Sequence, residues 1–400
     1  MARDWRKPLE HIFYSEEWKE LRKTKLVTPE SYAPASTLVN NEEMPEAVID
    51  PVINDVNDER KRYARFGSAL EEKLANMIVR LEGGYIEGHE SALGALFFPS
   101  GMAAISNCIN YFSLMIPQRG REKLHFVAHE TLYPETKYFF TEIIEHMGFG
   151  KTFFTDMRDE TALARTLAVN QDQIVAVFYE PISNPALEYV DTRKVREVAD
   201  WYDIPIIVDN TLLTPDLQQQ LRLGADIVIH SLTKYGSGKS DLTAGVMTSH
   251  KKFIDCCRHI QGTTGNILDL ASMDKLCERL PSLPERVRQH AANAAKIAGY
   301  MRGCGYIKEV CYPYVNSARY NSPGGMVSFI IDGERERKLL EACVAQRHNP
   351  LAVQVGFGSE NYRVIPGSYL SEDIPKGFMR LSTGVTQADD VIDFLRTQLK

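Results

Sequence analysis

Short apolar runs alternate with amphipathic stretches along most of this chain. Over residues 66–81, Leu70, Leu74, Met77, Ile78 and Leu81 recur at helical spacing, and Gly83-Gly84 predicts the end of that helix. The stretch Leu93-Gly-Ala-Leu-Phe-Phe-Pro-Ser-Gly-Met-Ala-Ala104 reads as a strand, a turn and a helix start. Strands are then predicted at 124–128, 151–154, 174–179, 206–208 and 227–229, separated by helices at 134–147, 160–168, 191–202 and 215–223. Such repeats predict an α/β fold with a mostly parallel sheet covered by helices, whose ligands bind at the carboxyl ends of the strands. One more strand is predicted at 244–248. After a connection at 261–284 the pattern restarts with a long helix at 284–301, a strand at 326–331, a helix at 334–345 and a strand at 378–382. A last helix is predicted to open at Thr386, with Asp389 placed as in a capping box. This divides the chain into a large domain at 66–265 and a smaller C-terminal α/β domain at 266–400. Residues 1–65 are polar and broken by Pro29, Pro34, Pro45 and Pro51, which predicts a segment without its own core, either disordered or an arm gripping a neighbour.

The chemistry concentrates where the strand at 227–229 ends. The residues that follow it, Ser231-Leu-Thr-Lys234, are mostly small and polar, and a second buried strand comes soon after. A lysine between two buried strands is placed to lose its proton and attack a carbonyl, and its hydroxyl neighbours are placed to bind a phosphate. That pairing points to pyridoxal phosphate (PLP) held on Lys234 as a Schiff base. Upstream, Asp209 ends the strand at 206–208 in Val208-Asp209-Asn210-Thr211. A buried carboxylate needs a cationic partner, and a protonated pyridine nitrogen supplies one. Ser100-Gly101 opens a helix whose first N–H groups face an anion readily. Gly236-Ser-Gly-Lys-Ser240 imitates the end of a nucleotide-binding loop, but Thr233 stands where that motif needs glycine and a strand, not a helix, follows.

Composition removes several classes. The 400 residues are 44% hydrophobic, enough for a packed core, and a net charge of −7 with pI near 5.9 argues against a general nucleic-acid role. No apolar run approaches a membrane span, and the amino terminus has no apolar segment of the signal-peptide kind. Seven cysteines without a CxxC pair fit free thiols in a reducing cytoplasm. Cys256, Cys257 and His259 fall on a stretch that reads as a surface helix, where adjacent cysteines face different ways, so no metal site is expected.

Together, the block from Val208-Asp209-Asn210-Thr211 to Lys234-Tyr235, with 25 residues from Asp209 to Lys234, resembles the PLP enzymes of cysteine and methionine metabolism. That family includes cystathionine γ-synthase, cystathionine γ- and β-lyases and methionine γ-lyase, and the resemblance runs from about Tyr63 to Arg380. It implies the type I fold of PLP enzymes, with Lys234 carrying the cofactor and Asp209 on its ring nitrogen. It implies that Ser231, Thr233 and the backbone at Gly101-Met102 hold the phosphate. Tyr63 and Arg65 look like the family's Tyr-x-Arg pair, which reaches a neighbouring subunit's phosphate; this implies a homo-oligomer, a dimer or tetramer, with active sites shared between subunits. Tyr133 matches the residue that stacks on the ring and assists proton transfer, Asn184 the one near the ring hydroxyl and substrate carboxylate, and Arg380 the clamp for the α-carboxylate. Gln354 and Val353 occupy positions that face the substrate in the family.

The chain also departs from the family pattern. Pro134-Glu-Thr136 replaces Gly-Gly-Thr, Lys239 replaces a histidine, Gly67-Ser68-Ala69-Leu70 replaces Asn-Pro-Thr, and Gln354-Val-Gly-Phe357 replaces Ser-Leu-Gly-Gly. The activity implied is γ-elimination or γ-replacement on a small amino acid with a side-chain leaving group. The alternatives are γ-elimination on an unusual, halogenated or unsaturated amino acid, or β-elimination as a C–S lyase. Retention of Lys234, Asp209 and Arg380 argues against a non-catalytic binding protein built on the same fold.

Overall fold

A computed structural model of the chain describes residues 64–83, 92–115, 125–148, 150–169, 173–315, 321–345, 349–370 and 374–400. The arm expected at 1–65, Tyr63 included, lies outside these residues apart from its last two positions.

Helix α1 (Ala69–Leu81) begins three residues after Phe66, because Ser68 caps it: the hydroxyl accepts from the Glu71 N–H at 3.1 Å. Leu74 and Ile78 carry its buried face. Strand β1 (Leu93–Phe98) leads into α2 (Gly101–Met115), followed by β2 (His125–His129), α3 (Pro134–Tyr138, continued through a π-helical turn), β3 (Thr152–Thr155), α4 (Glu160–Val169) and β4 (Ile174–Tyr179). Then come α5 (Thr192–Asp200), β5 (Ile206–Asp209), α6 (Thr214–Leu217), β6 (Ile227–Ser231) and β7 (Gly245–His250).

These strands form one seven-stranded sheet in the order β1-β7-β6-β5-β4-β2-β3. The run from β6 to β3 is parallel, and β4 is buried at every position, as strands covered on both faces are. β7 is antiparallel to both β6 and β1. The β6–β7 connection carries the Lys234 turn and no crossover helix, so the chain must return antiparallel.

Helices α7 (Lys251–Thr264), α8 (Leu270–Arg279) and α9 (Leu283–Arg302) lead to a second sheet. That sheet is built from β8 (Glu309–Cys311), β9 (Met326–Ile330), β10 (Leu351–Val353), β11 (Tyr362–Pro366) and β12 (Phe378–Ser382) in the order β10-β11-β12-β9-β8, with α10 (Gly333–Ala345) and α11 (Ala388–Leu399) against it. Ala294, Ile297, Met301, Val327, Phe329, Leu381 and Leu395 form its own apolar core.

Three local expectations change. The helix expected at 215–223 stops at Leu217, because Gln218 is extended and its carbonyl accepts from Asn210 Nδ2 at 2.9 Å; a short 3-10 turn, Leu221–Leu223, follows. The helix of Cys256 and Cys257 is not a surface helix: Phe253, Ile254, Cys257 and Ile260 are buried. Thr386 does not open the last helix. Its carbonyl accepts from Tyr362 Oη at 2.6 Å and Asn293 Nδ2 at 2.7 Å, Gln387 takes the N-cap position, and Asp389 pairs with Lys296 instead. All seven cysteines are free, no cluster of metal-ligating side chains occurs among the described residues, and no described helix is long and apolar enough to cross a membrane.

Candidate active site

Lys234 sits in the turn directly after β6, with φ −86° and ψ −117° inside an otherwise helical turn. The turn is pressed from above by the 356–358 loop. A Cβ on Gly358, where φ is +79°, would lie 2.6 Å from the Tyr235 nitrogen and 2.8 Å from the Lys234 carbonyl carbon, so glycine alone permits this approach. Phe357 from the same loop faces the lysine, with Nζ 5.1 Å from the ring centroid. Burial, then the positive charges of Arg380 and Arg363, hold the Lys234 amine below its usual pKa.

Asp209 ends β5, the strand beside β6. Its Oδ1 accepts from the Thr211 N–H at 3.0 Å and from the Thr211 hydroxyl at 2.5 Å, and that hydroxyl accepts from the Ser231 N–H at 2.7 Å. Thr211 thus ties the carboxylate to the strand that carries the lysine. A second carboxylate, Glu180, directly follows β4 and accepts from the Tyr133 N–H at 2.7 Å. Burial raises both carboxyls, and the proximity of Asp209 raises Glu180 further. A positive group placed between the buried Glu180 and the half-buried Asp209 would return either carboxyl to its charged form.

The start of α2 closes the other end. A Cβ on Gly101 would stand 3.0 Å from the Ser231 Cβ, and one on Gly245 would stand 2.2 Å from the Ser100 carbonyl oxygen. Small residues on both sides bring the Ser231 hydroxyl up to the first turn of a 15-residue helix, where the N–H groups of Gly101 and Met102 precede any intrahelical bond. Thr233 stands beside this corner, but its hydroxyl bonds to the backbone of Ala244, accepting from N–H at 3.0 Å and donating to C=O at 3.2 Å.

Arg380 reaches in from β12 and is 2% exposed. Nη1 donates to Asn184 Oδ1 at 3.0 Å and Nη2 to the Gly356 carbonyl at 3.1 Å. Burial lowers its pKa to about 10, so it stays charged at neutral pH. Tyr133 is 38% exposed, and burial of its hydroxyl together with a bond to Glu135 raises its pKa, which keeps the phenol protonated. Gln354 and Val353 lie at the sheet edge with exposed side chains, and the residue of this segment that faces Lys234 is Phe357. Arg65 is exposed in the short turn before α1, stacked on Phe66, and Tyr63 lies outside the described residues.

The reading from sequence missed Glu180, Phe357, Gly356 and Arg363. Glu180 carried the same signal as Asp209, an acid directly after a fully apolar strand. Arg363 was marked by standing as the one charge in Tyr362-Arg-Val-Ile-Pro366.

A sequence profile of the Cys/Met metabolism PLP-dependent enzymes matches residues 32–400. The chain belongs to that family. It is 29% identical over 357 residues to the cystathionine beta-lyase of Lactococcus lactis subsp. cremoris (strain MG1363), covering 84% of this chain and 88% of the relative. It is 30% identical over 349 residues to the cystathionine gamma-synthase/O-acetylhomoserine (thiol)-lyase of Bacillus subtilis (strain 168), covering 84% and 85%. Among solved structures, cystathionine gamma synthase from Xanthomonas oryzae pv. oryzae in complex with cystathionine superposes with a TM-score of 0.78 at 24% identity, covering 92% of this chain and 98% of that one. The fold is the α/β type I fold of PLP enzymes, and PLP is the cofactor. Family members act by elimination or replacement on small amino acids, at either the β or the γ carbon. The residues present fit the cofactor: Gly101, Met102 and Ser231 line up donors for an anion, Asp209 offers an acid at a strand end for a ring nitrogen, and Lys234 offers an amine whose pKa is lowered.

Proposed function

We propose that this enzyme catalyses γ-elimination or γ-replacement on an amino acid with a side-chain leaving group. The observation that carries the reading is the convergence of a lysine of lowered pKa, a buried arginine and a half-buried acid on one seam. Bound there, PLP would rest its phosphate on Gly101, Met102 and Ser231 and its ring nitrogen on Asp209, and would supply an electron sink for the carbon losing a proton. Arg380 takes the substrate α-carboxylate through its planar fork, with Asn184 fixing the fork's orientation. Lys234, whose proton is held less tightly because burial and two nearby arginines disfavour its charge, removes the proton at Cα. A long flexible side chain also reaches Cβ, and loss of a Cβ proton is the step that separates γ from β chemistry. Tyr133, kept protonated, donates to the departing group.

The reading brings further assignments with it. The chain divides into an arm at 1–65, a large unit at 66–265 and a small unit at 266–400. It forms homo-oligomers in which Tyr63 and Arg65 serve a neighbouring site, and it works in the cytoplasm, where seven free thiols are at home.

Borohydride reduction of the purified enzyme and peptide mapping should leave a pyridoxyl group on Lys234. An inert amino acid such as L-2-aminobutyrate, incubated in deuterated water, should then exchange at both Cα and Cβ by NMR. Exchange at Cα alone would move the enzyme to β-elimination, and a label elsewhere would remove the reading altogether.

A further inference from the structure

Arg363 is a buried cation that the proposed reaction leaves unused. In the antiparallel β11–β12 pair it stands opposite Ser382, while Arg380 stands opposite Ile365. Cross-strand partners share a face, as do residues two apart, so the two arginines leave the same face of the small sheet as diagonal neighbours. Their guanidinium groups converge on one turn. Arg380 donates to the Gly356 carbonyl at 3.1 Å, and a Cβ built on Gly356 would stand 3.0 Å from Arg363 Nη1.

Arg363 is 6% exposed. Nη2 donates to the Ser240 hydroxyl at 3.0 Å, and the buried Nε has no partner. Among the described residues neither arginine is ion-paired to a carboxylate. A guanidinium cannot discharge itself by losing a proton, so a buried one calls for an anion. One α-carboxylate fills one fork, that of Arg380. The cradle at Gly101 and Ser231 is built from other elements. That leaves Arg363 unmatched, beside the exposed Ser240 through which solvent reaches it.

Resting on the functional reading above, we propose that Arg363 and Ser240 form a second anion subsite that receives a terminal carboxylate on the substrate. The enzyme then selects amino acids with two carboxylates over those with a neutral end. The second carboxylate has two possible locations, the group that leaves or the chain that stays. Both use the same fork.

The test uses the PLP-loaded enzyme and an R363Q variant whose circular dichroism matches the wild type. The first arm compares kcat/KM for O-succinyl- and O-acetyl-L-homoserine, which differ by a terminal carboxylate on the leaving group. The second arm measures calorimetric binding of L-2-aminoadipate against L-norleucine, which differ at the end of the retained chain. The wild type is expected to favour the acidic member at least tenfold in one arm, with R363Q collapsing that ratio to within about threefold through KM or Kd, since one charge-assisted bond is worth about tenfold or more. Ser240→Ala, at an exposed position, should shrink the same ratio by a few fold should R363Q not fold. A wild type that shows no preference in either arm overturns the proposal. So does an R363Q that weakens acidic and neutral members equally, which would make Arg363 a second holder of the α-carboxylate. The borohydride label on Lys234 separates the failures: with the label present and no preference, only this inference falls.

Discussion

Arg380→Lys isolates what the guanidinium fork does, because it keeps the charge and removes the plane. In the wild type the fork spans Asn184 Oδ1 at 3.0 Å and the Gly356 carbonyl at 3.1 Å, leaving its remaining donors for the substrate. A lysine presents one point charge and cannot make two parallel bonds to a carboxylate. Losing one charge-assisted bond costs about 1.5–3 kcal/mol, which is roughly 10- to 150-fold in kcat/KM. The α-carboxylate does not change its charge as the reaction proceeds, so the loss should fall on KM with kcat largely kept. Shortening the side chain also strands Asn184 Oδ1 or the Gly356 carbonyl, at about 1–3 kcal/mol of stability. The assay is steady-state release of 2-oxo acid, with cofactor loading matched by absorbance and thermal melts run in parallel. Arg380→Met should lose more, and a decarboxylated substrate analogue should show no difference between the variants. A KM within about threefold of wild type alongside a large fall in kcat would refute the clamp and place Arg380 in the chemistry itself.

Asp209→Asn keeps the shape and the acceptor for Thr211 but cannot neutralise a cation, so kcat should fall on the order of 10²–10³-fold, with faster loss of cofactor on dialysis; an unaltered rate would remove Asp209 from the ring. Gly358→Ala meets the backbone of Lys234 and Tyr235 at a φ of +79°, and the left-handed conformation alone costs about 1–2 kcal/mol. Its melting temperature and activity should drop together, whereas a variant with normal activity would show that the loop does not set the lysine. His290 is buried, its Nδ1 bonds the Thr383 carbonyl at 2.7 Å, and burial lowers its pKa from 6.5 to about 4. The unfolded chain then binds more protons between those values, so stability is complete above pH 6.5 and about 3 kcal/mol is lost as pH falls to 4. Denaturant titrations of His290→Asn, which keeps a donor in place, should flatten that limb. Glu180 and Asp209 act in the opposite sense: their raised carboxyls make the cofactor-free protein lose stability as pH rises past the ordinary carboxylate range, and Glu180→Gln should weaken that slope.

The large sheet was legible because its central strands carry apolar runs such as Ile174–Tyr179 and Ile206–Val208, and because the acid and the lysine stand at or just beyond strand ends. The runs at 174–179 and 227–229 needed no tertiary knowledge to be read as buried strands, although the second extends to Ser231 in the fold. The small sheet was harder. β8 and β10 are three residues each, and β11 contains an arginine and a proline, which a period-two search discounts. Gln218 broke an expected helix through a hydrogen bond from Asn210, a contact between segments that local propensity does not encode. In the site, the resemblance pointed to Gln354, yet the neighbour that meets the lysine is Phe357, because the positive-φ glycines Gly356 and Gly358 rotate the segment by a register that spacing alone does not reveal.

Lys234, Asp209 and Glu180 are anchored on one sheet, and Arg380 and Arg363 on the other, with the Asn184–Arg380 bond stitching the two. On the assignments proposed above, reactivity and choice of molecule have separate hardware. Strands β10 to β12 can accumulate changes that redirect the enzyme to a new metabolite while the bond-breaking apparatus stays intact. The edge position of β10 makes its flank the cheapest place for such drift to begin.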